Sequence, residues 1–207
     1  AKNIDSARDL EFSPGGALLV SSPMQGKVFV LPDKNKDGEA DQIKELVSGL
    51  NGPHGLAFYE GKLFIAEKER VARYAWDEGN LTASEEKELF KLPYMGGHSS
   101  RTIAFDKGGR MFVSIGSSCN VCIEKDPWLA SIIVSDSEGE NPRFFGKGFR
   151  NAVFMTLNEQ SGDIWVTEMG RDLLGDNIPP DEINILKEGD FGWPYCFVAC
   201  ARCQKPL

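Results

Sequence analysis

The sequence predicts an all-β protein of β-propeller architecture. A unit of sequence recurs along the chain. Residues 7–21 read ARDLEFSPGGALLVS, residues 54–67 HGLAFYEGKLFIAE, residues 101–116 RTIAFDKGGRMFVSIG and residues 151–168 NAVFMTLNEQSGDIWVTE. Each unit is a short apolar strand, a glycine-containing turn and a second apolar strand. The anchor positions Phe12, Phe58, Phe105 and Met155 follow one another at 46, 47 and 50 residues. Strand pairs at a period of roughly 40–50 residues are the sequence signature of propeller blades. One blade cannot bury both faces of its own sheet, so blades stack around an axis and leave only short edges. An antiparallel sandwich with chance likeness between hairpins is the alternative, and near-constant spacing over these units favours the propeller.

Within each unit the first strand alternates, as at Leu10/Phe12, Leu56/Phe58 and Ile103/Phe105. The second is a continuous run: Leu18-Leu19-Val20, Leu63-Phe64-Ile65, Met111-Phe112-Val113 and Ile164-Trp165-Val166. Continuous short runs bounded by glycine suit strands buried on both faces. Residues 82–92 are charged and surface-like and read as a loop or a weak helix. Gly175 and Pro179-Pro180 mark a loop.

At 207 residues the chain can build a real core. Residues 1–207 read as a single propeller domain with about four blades and part of a further one. A six-bladed ring at this period needs ~280 residues, so the ring is smaller or the chain is incomplete on its C-terminal side. The net charge is −8 with no basic block, which argues against nucleic acid. No apolar run approaches ~18 residues, so no membrane-spanning helix is expected. No signal peptide is read in the sequence, as expected also for a mature exported protein.

The five cysteines are Cys119, Cys122, Cys196, Cys200 and Cys203. Cys119-Asn120-Val121-Cys122 is compatible with metal binding, redox exchange or a local disulfide. Ile123 stands where a haem c attachment requires His. Zinc would need further ligands, which Cys196, Cys200 and Cys203 could supply. Residues 33–41 read DKNKDGEAD. Oxygen ligands at Asp33, Asn35, Asp37 and Asp41, with Gly38 for the turn, resemble the start of an EF-hand calcium loop. Lys44 replaces the closing Glu, and a polar turn explains the same residues. On spacing alone His98, in GGHSSR, is a loop histidine bonded to backbone, Arg150 pairs with an acid such as Glu168, and Glu182 faces solvent.

Three signatures then stand in order: Arg150-Asn151, Asp181-Glu182-Ile183-Asn184, and Gly192-Trp193-Pro194-Tyr195. Together with His98 and Arg101 they resemble the soluble quinoprotein glucose/sorbosone dehydrogenase family. Those proteins are six-bladed propellers that hold pyrroloquinoline quinone (PQQ) and calcium. The GPHGLAF, GGHSSR and CNVC forms are similar to the sorbosone-dehydrogenase-like branch, which includes aldose sugar dehydrogenases. The resemblance runs from Ala7 to Tyr195.

The resemblance implies a periplasmic or secreted enzyme that oxidises an aldose or related sugar to its lactone or acid and passes electrons to an external acceptor. His98 would be the general base, since imidazole titrates near working pH, with Arg101 beside it. Gly97 stands where a known member has Asp, so the usual orienting carboxylate is absent or comes from elsewhere. Arg150 and Asn151 would bind PQQ, the guanidinium pairing with its oxygens. The carbonyls of Gly170 and Arg171 would hold catalytic calcium; the family has Pro at the second position, and calcium accepts backbone oxygen whichever side chain is present. Glu182 and the carbonyl of Tyr195 match a second, structural calcium. His54 replaces part of a Gln-Gly-Gly-Leu stretch of the glucose-oxidising members and either lines the pocket or caps a strand. Similar propellers carry cysteine pairs as surface disulfides. Further cationic PQQ ligands come from later blades, which implies a second chain or a missing segment to complete the ring. Two other functions fit the fold. One is a non-catalytic, calcium-stabilised binding module. The other is a metal-dependent sugar lactonase, which would need convergent acids on a central metal.

Overall fold

In a computed structural model of the chain, which describes residues 4–196, every regular element is a β-strand. The fold divides into two compact units, Ala1–Lys91 and Leu92–Leu207. In the first unit, β1 (Leu10–Phe12), β2 (Leu18–Ser22), β3 (Lys27–Leu31) and β4 (Lys44–Ser48) form one antiparallel sheet in chain order. A second such sheet holds β5 (Leu56–Tyr59), β6 (Lys62–Ala66), β7 (Arg70–Asp77) and β8 (Thr82–Lys91). Each is the up-and-down, four-stranded sheet of a propeller blade. The anchors Phe12 and Phe58 lie on β1 and β5, the first strand of each sheet.

These two sheets bury one shared core. Leu19, Val28 and Val30 of the first meet Leu56, Leu63, Ile65 and Tyr74 of the second. The next residues along the strands, Val20, Phe29 and Leu31, form a separate cluster on the opposite face. That alternation is the period-two signal read at the backbone level. The first strands also interlock, for the Asp9 carboxylate accepts the main-chain N–H of Leu56 at 2.8 Å.

In the second unit, β9 (Ile103–Phe105), β10 (Met111–Ile115), β11 (Ser131–Ser135) and β12 (Arg143–Lys147) repeat the pattern. The short β16 (Gly189–Asp190) pairs with β12 in parallel. The last sheet has β13 (Met155–Leu157), β14 (Ile164–Glu168) and β15 (Glu182–Ile185). Phe112, Ile132 and Val134 pack on Met155, Ile164 and Val166, with Phe149 between them. Thr102 Oγ1 donates to the carbonyl of Val153, the counterpart of the Asp9–Leu56 link.

Two expectations change. Residues 82–91 are neither loop nor helix: β8 pairs with β7 from Asp77↔Thr82 to Arg70↔Lys91. It is the outer edge strand, so one of its sides is solvent and its charges mask the strand period. Those charges are used across the ladder, where Arg70 bonds Glu86. Of the continuous apolar runs, the one on β14 is not buried throughout, for Trp165 is exposed, and exposed apolar side chains also stand on other strands. Leu10 and Phe12 on β1 are 60% and 65% exposed, and Trp165 and Ile183 on the last sheet 37% and 71%. Residues 169–181, with Gly175 and Pro179-Pro180, are irregular as expected.

Candidate functional site

The second unit gathers His98, Arg101, Arg150 and Asn151. His98 sits in the segment that leads into β9, half-buried. Its Nδ1 lies 3.0 Å from both the carbonyl oxygen and the hydroxyl of Ser117, just after β10. A carbonyl only accepts, so Nδ1 carries the proton and Nε2 keeps its lone pair. Burial pushes the imidazole below its ordinary value, a Ser117 backbone bond opposes this, and the Arg150 charge adds to the lowering. The ring is therefore held neutral in the tautomer a base requires.

Two glycines permit this arrangement. A Cβ at Gly116 would lie 2.5 Å from His98 Cβ and 2.9 Å from Asn151 Oδ1. At Gly97, φ is +67° and a Cβ would lie 2.6 Å from the Ser117 carbonyl oxygen. An Asp cannot take that place along this backbone without strain, and the orienting acceptor for His98 is supplied by Ser117.

Arg101 is fully buried. Its guanidinium donates to the carbonyls of Pro93, His98 and Ser100 at 3.0, 3.1 and 2.7 Å. It clamps the segment bearing His98. Arg150 is 2% exposed. Nε donates to the Asn120 carbonyl at 3.1 Å, Nη1 to that of Met169 at 3.4 Å, and Nη2 to the Asp172 carboxylate at 2.5 Å. Asn151 is 5% exposed, and its Oδ1 is buried without a partner among the described residues. A buried acceptor left alone is costly, so this atom is an opening for a ligand donor.

Glu168, at the end of β14, accepts the main-chain N–H groups of Arg150 and Asn151. Burial pushes its carboxyl up to about 8, these two bonds oppose the rise, and Glu182 adds to it. Glu168 and Glu182 are cross-strand partners in the β14–β15 ladder. Both line a cavity of about 30 Å³ with Gly170, Arg171, Trp193 and Pro194. That is room for a water or an ion, not for a tricyclic quinone. Gly170 N–H donates to Asp181 at 3.0 Å, and Arg171 Nε is buried without a partner among the described residues. Tyr195 is 45% exposed and its N–H bonds Gly192.

The calcium-loop candidates lie in the other unit. Asp33 accepts the N–H groups of Asp37 and Gly38, Asp37 that of Glu39, and Asp41 that of Lys34, while Asn35 Nδ2 donates to Asp37. These oxygens serve the turn itself. Among the described residues, the one trio of His, Cys, Asp and Glu ligand atoms that share metal distance is Cys119, Cys122 and Glu124, and Cys119 and Cys122 are joined as a disulfide. Cys196 is disulfide-bonded as well; Cys200 and Cys203 lie outside the described residues. His54, in the first unit, is 3% exposed and its main-chain N–H donates to Ala66.

Sequence reasoning missed Ser117, Asn120 and Asp172, which act through loops without a repeating spacing. It named Glu168 only as a side-chain partner for Arg150. A signal for its true place exists: the repeat units 54–67 and 151–168 both end in Glu, and Glu67 accepts the N–H of Asn51 as Glu168 accepts that of Arg150.

A sequence profile described as TrAA12-like matches residues 1–205. The chain belongs to the TrAA12-like family. A curated relative, an uncharacterized protein of Borreliella burgdorferi, is 30% identical over 94% of this TrAA12-like chain. The chain spans about half of that relative, 53% of its length. Among solved structures, the PQQ domain of pyranose dehydrogenase from Coprinopsis cinerea, in its holo form, superposes with TM-score 0.82 at 19% identity, over 94% of this chain and 55% of that one. A Trichoderma reesei protein of carbohydrate-active enzyme family AA12 gives 0.81 at 22% identity, over 95% and 57%. The PQQ-bound aldose sugar dehydrogenase of Streptomyces coelicolor gives 0.76 at 21%, over 95% and 64%. At such identities the likeness establishes the fold: the sheets of this TrAA12-like chain are blades of the quinoprotein glucose dehydrogenase type of propeller.

Proposed function

We propose that this chain supplies the base and part of the cofactor seat of a PQQ- and calcium-dependent sugar dehydrogenase acting in the periplasm or outside the cell. The observation that carries the reading is His98. Its Nδ1–H is fixed on Ser117, its pKa is lowered by burial, and among the described residues no group bonds Nε2. Such a nitrogen takes the proton of a sugar hydroxyl. The Cys119–Cys122 disulfide suits an oxidising compartment.

The residues fit the cofactor. Three of the five Arg150 N–H groups are engaged, which leaves two to donate to PQQ oxygens, and the buried acceptor Asn151 Oδ1 complements the cofactor's ring N–H. When bound, PQQ supplies a two-electron acceptor for an aldose or related sugar, giving the lactone or acid. Arg150 and Asn151 would hold it. The main-chain carbonyls of Gly170 and Arg171 would hold one calcium ion. Glu182, with Glu168 facing it and the Tyr195 carbonyl, would hold another, whose charge relieves the repulsion between the two carboxylates. Asp33, Asn35, Asp37 and Asp41 would hold any structural ion of the first unit. The exposed Trp165 and Ile183 support further blades, from a longer polypeptide or a second chain, that complete the ring around sugar and electron acceptor.

A second reading, a non-catalytic calcium-stabilised binding module, is favoured by one observation: the Arg150 charge is already paired with Asp172. The lactonase reading lacks its acids, because no trio of carboxylates converges among the described residues. Adding PQQ and calcium to the protein, then an aldose and a dye acceptor, tests the proposal. A quinone absorbance that changes with sugar, and dye reduction, are expected. A complete ring that takes up no quinone is the binding module.

A further inference from the structure

Residues 117–124 form an irregular loop whose contacts reach both candidate site residues. At its start, Ser117 holds the His98 ring, donates its N–H to the Arg150 carbonyl at 2.8 Å and accepts the N–H of His98 at 2.9 Å. Its hydroxyl bonds the Cys119 carbonyl at 2.6 Å. In its middle, the Asn120 carbonyl receives Arg150 Nε at 3.1 Å and Trp193 Nε1 at 3.3 Å. The Asn120 side chain grips Asp172 from both ends, with Oδ1 accepting its N–H at 2.8 Å and Nδ2 donating to its carbonyl at 3.2 Å. Asp172 is in turn the carboxylate on Arg150 Nη2. Two of the three bonds that fix the Arg150 guanidinium therefore pass through Asn120. Asn120 lies between Cys119 and Cys122, which are joined as a disulfide. At its far end the loop closes where Ser118 N–H and hydroxyl bond the Glu124 carboxylate at 2.7 Å.

An irregular loop holds a single conformation only against the chain entropy it gives up. A four-residue disulfide ring removes most of that freedom at Asn120. Both cysteines are half-buried, so a small dithiol can reach them.

We propose that the Cys119–Cys122 disulfide is a redox-sensitive clasp for the site, with Asn120 as the positioning residue that sets Arg150 and Asp172. An external dithiol opens it: the S–S bond breaks, two thiols form with two electrons and two protons from the dithiol, and the dithiol leaves as its own disulfide. Asn120 then loses its fixed carbonyl and its grip on Asp172, and Arg150 loses its orientation. This rests on the PQQ reading only for its functional consequence; the structural coupling stands apart from it.

The test compares oxidised wild type, wild type reduced with dithiothreitol, and Cys119→Ser/Cys122→Ser. The variant leaves the disulfide at Cys196 untouched and isolates the clasp. Amide hydrogen exchange is read at Asp172 and over residues 97–101, and PQQ affinity is read by titration. Reduced protein and variant are expected to exchange faster at Asp172 and to bind PQQ roughly tenfold more weakly, the size of effect expected for a supporting contact. Faster exchange confined to residues 117–124, with Asp172 unchanged, overturns the clasp. Unchanged PQQ affinity in both species with a loosened Asp172 overturns its functional role. Faster exchange at Asp172 with no PQQ bound by any species, oxidised wild type included, supports the clasp and rejects the cofactor reading. If this variant does not fold, Cys119→Ala/Cys122→Ala, which also leaves the disulfide at Cys196 in place, is read against the same outcomes.

Discussion

Glu168 meets Arg150 through the main chain: its Oε1 accepts the Arg150 N–H at 2.5 Å, while the Arg150 guanidinium turns to Asp172. The carboxylate caps the entry to the last sheet rather than pairing with the cation. Replacing Glu168 with Ala leaves buried donors at residues 150 and 151 and is expected to cost about 1–3 kcal/mol of stability. Glu168→Gln, which keeps an acceptor oxygen, should cost less. Urea unfolding of both variants measures this; equal stability of the Ala variant and wild type rejects the cap.

His98 gives a signed pH dependence. Its folded pKa lies below the ordinary value of 6.5 because burial penalises the charged ring. Between that lowered value and 6.5 the unfolded chain binds more protons, so stability rises with pH across the window. An imidazole nitrogen NMR titration should place the His98 midpoint below 6.5, with the proton of the neutral form on Nδ1. A midpoint above 6.5 contradicts the dominance of burial, and a proton on Nε2 contradicts the bond to Ser117.

Glu11 has the opposite sign. Burial pushes its carboxyl up from 4.5 to about 7, helped by Asp9 and opposed by the Phe58 N–H. Folding favours the protonated form, so this contribution is complete below pH 4.5 and is lost as pH rises to about 7. Glu11→Gln should flatten that part of the stability profile, as read from melting temperature against pH. A profile identical to wild type over this range would show that Glu11 ionises freely.

Core and uncovered faces should respond differently. Ile65 is fully buried in the cluster shared by the two sheets of the first unit, and Ile65→Ala is expected to cost about 2–5 kcal/mol. Ile183 is 71% exposed, and Ile183→Thr in this chain should change stability by under about 0.5 kcal/mol. Comparable losses at the two positions would mean that the last sheet is covered.

The blades were legible because sheet packing writes itself into sequence. Phe12, Phe58, Phe105 and Met155 recur with the repeat, and Leu63-Phe64-Ile65 is apolar because both faces of β6 are buried. The strand β8 was not legible, since an edge strand has solvent on one side and TASEEKELFK carries its charges there. At the site, His98, Arg150 and Asn151 could be named from short motifs, and the structure brings them into one unit. The partners that set their states were hidden. Ser117 and Asn120 act largely through carbonyl oxygens, which every residue has, and Asp172 is placed by an irregular loop. Arg101 shows the converse: its motif was visible, but its guanidinium binds carbonyls of the His98 segment.

The central claim is that His98 Nε2 is the base of a PQQ-dependent sugar oxidation. The most direct measurement is the rate of aldose-dependent dye reduction by His98→Gln protein loaded with PQQ and calcium, compared with loaded wild type. The account predicts that the variant still binds PQQ, seen by its absorbance, and turns over about 100-fold more slowly or worse, as for a lost general base. Equal turnover by the loaded variant would contradict it.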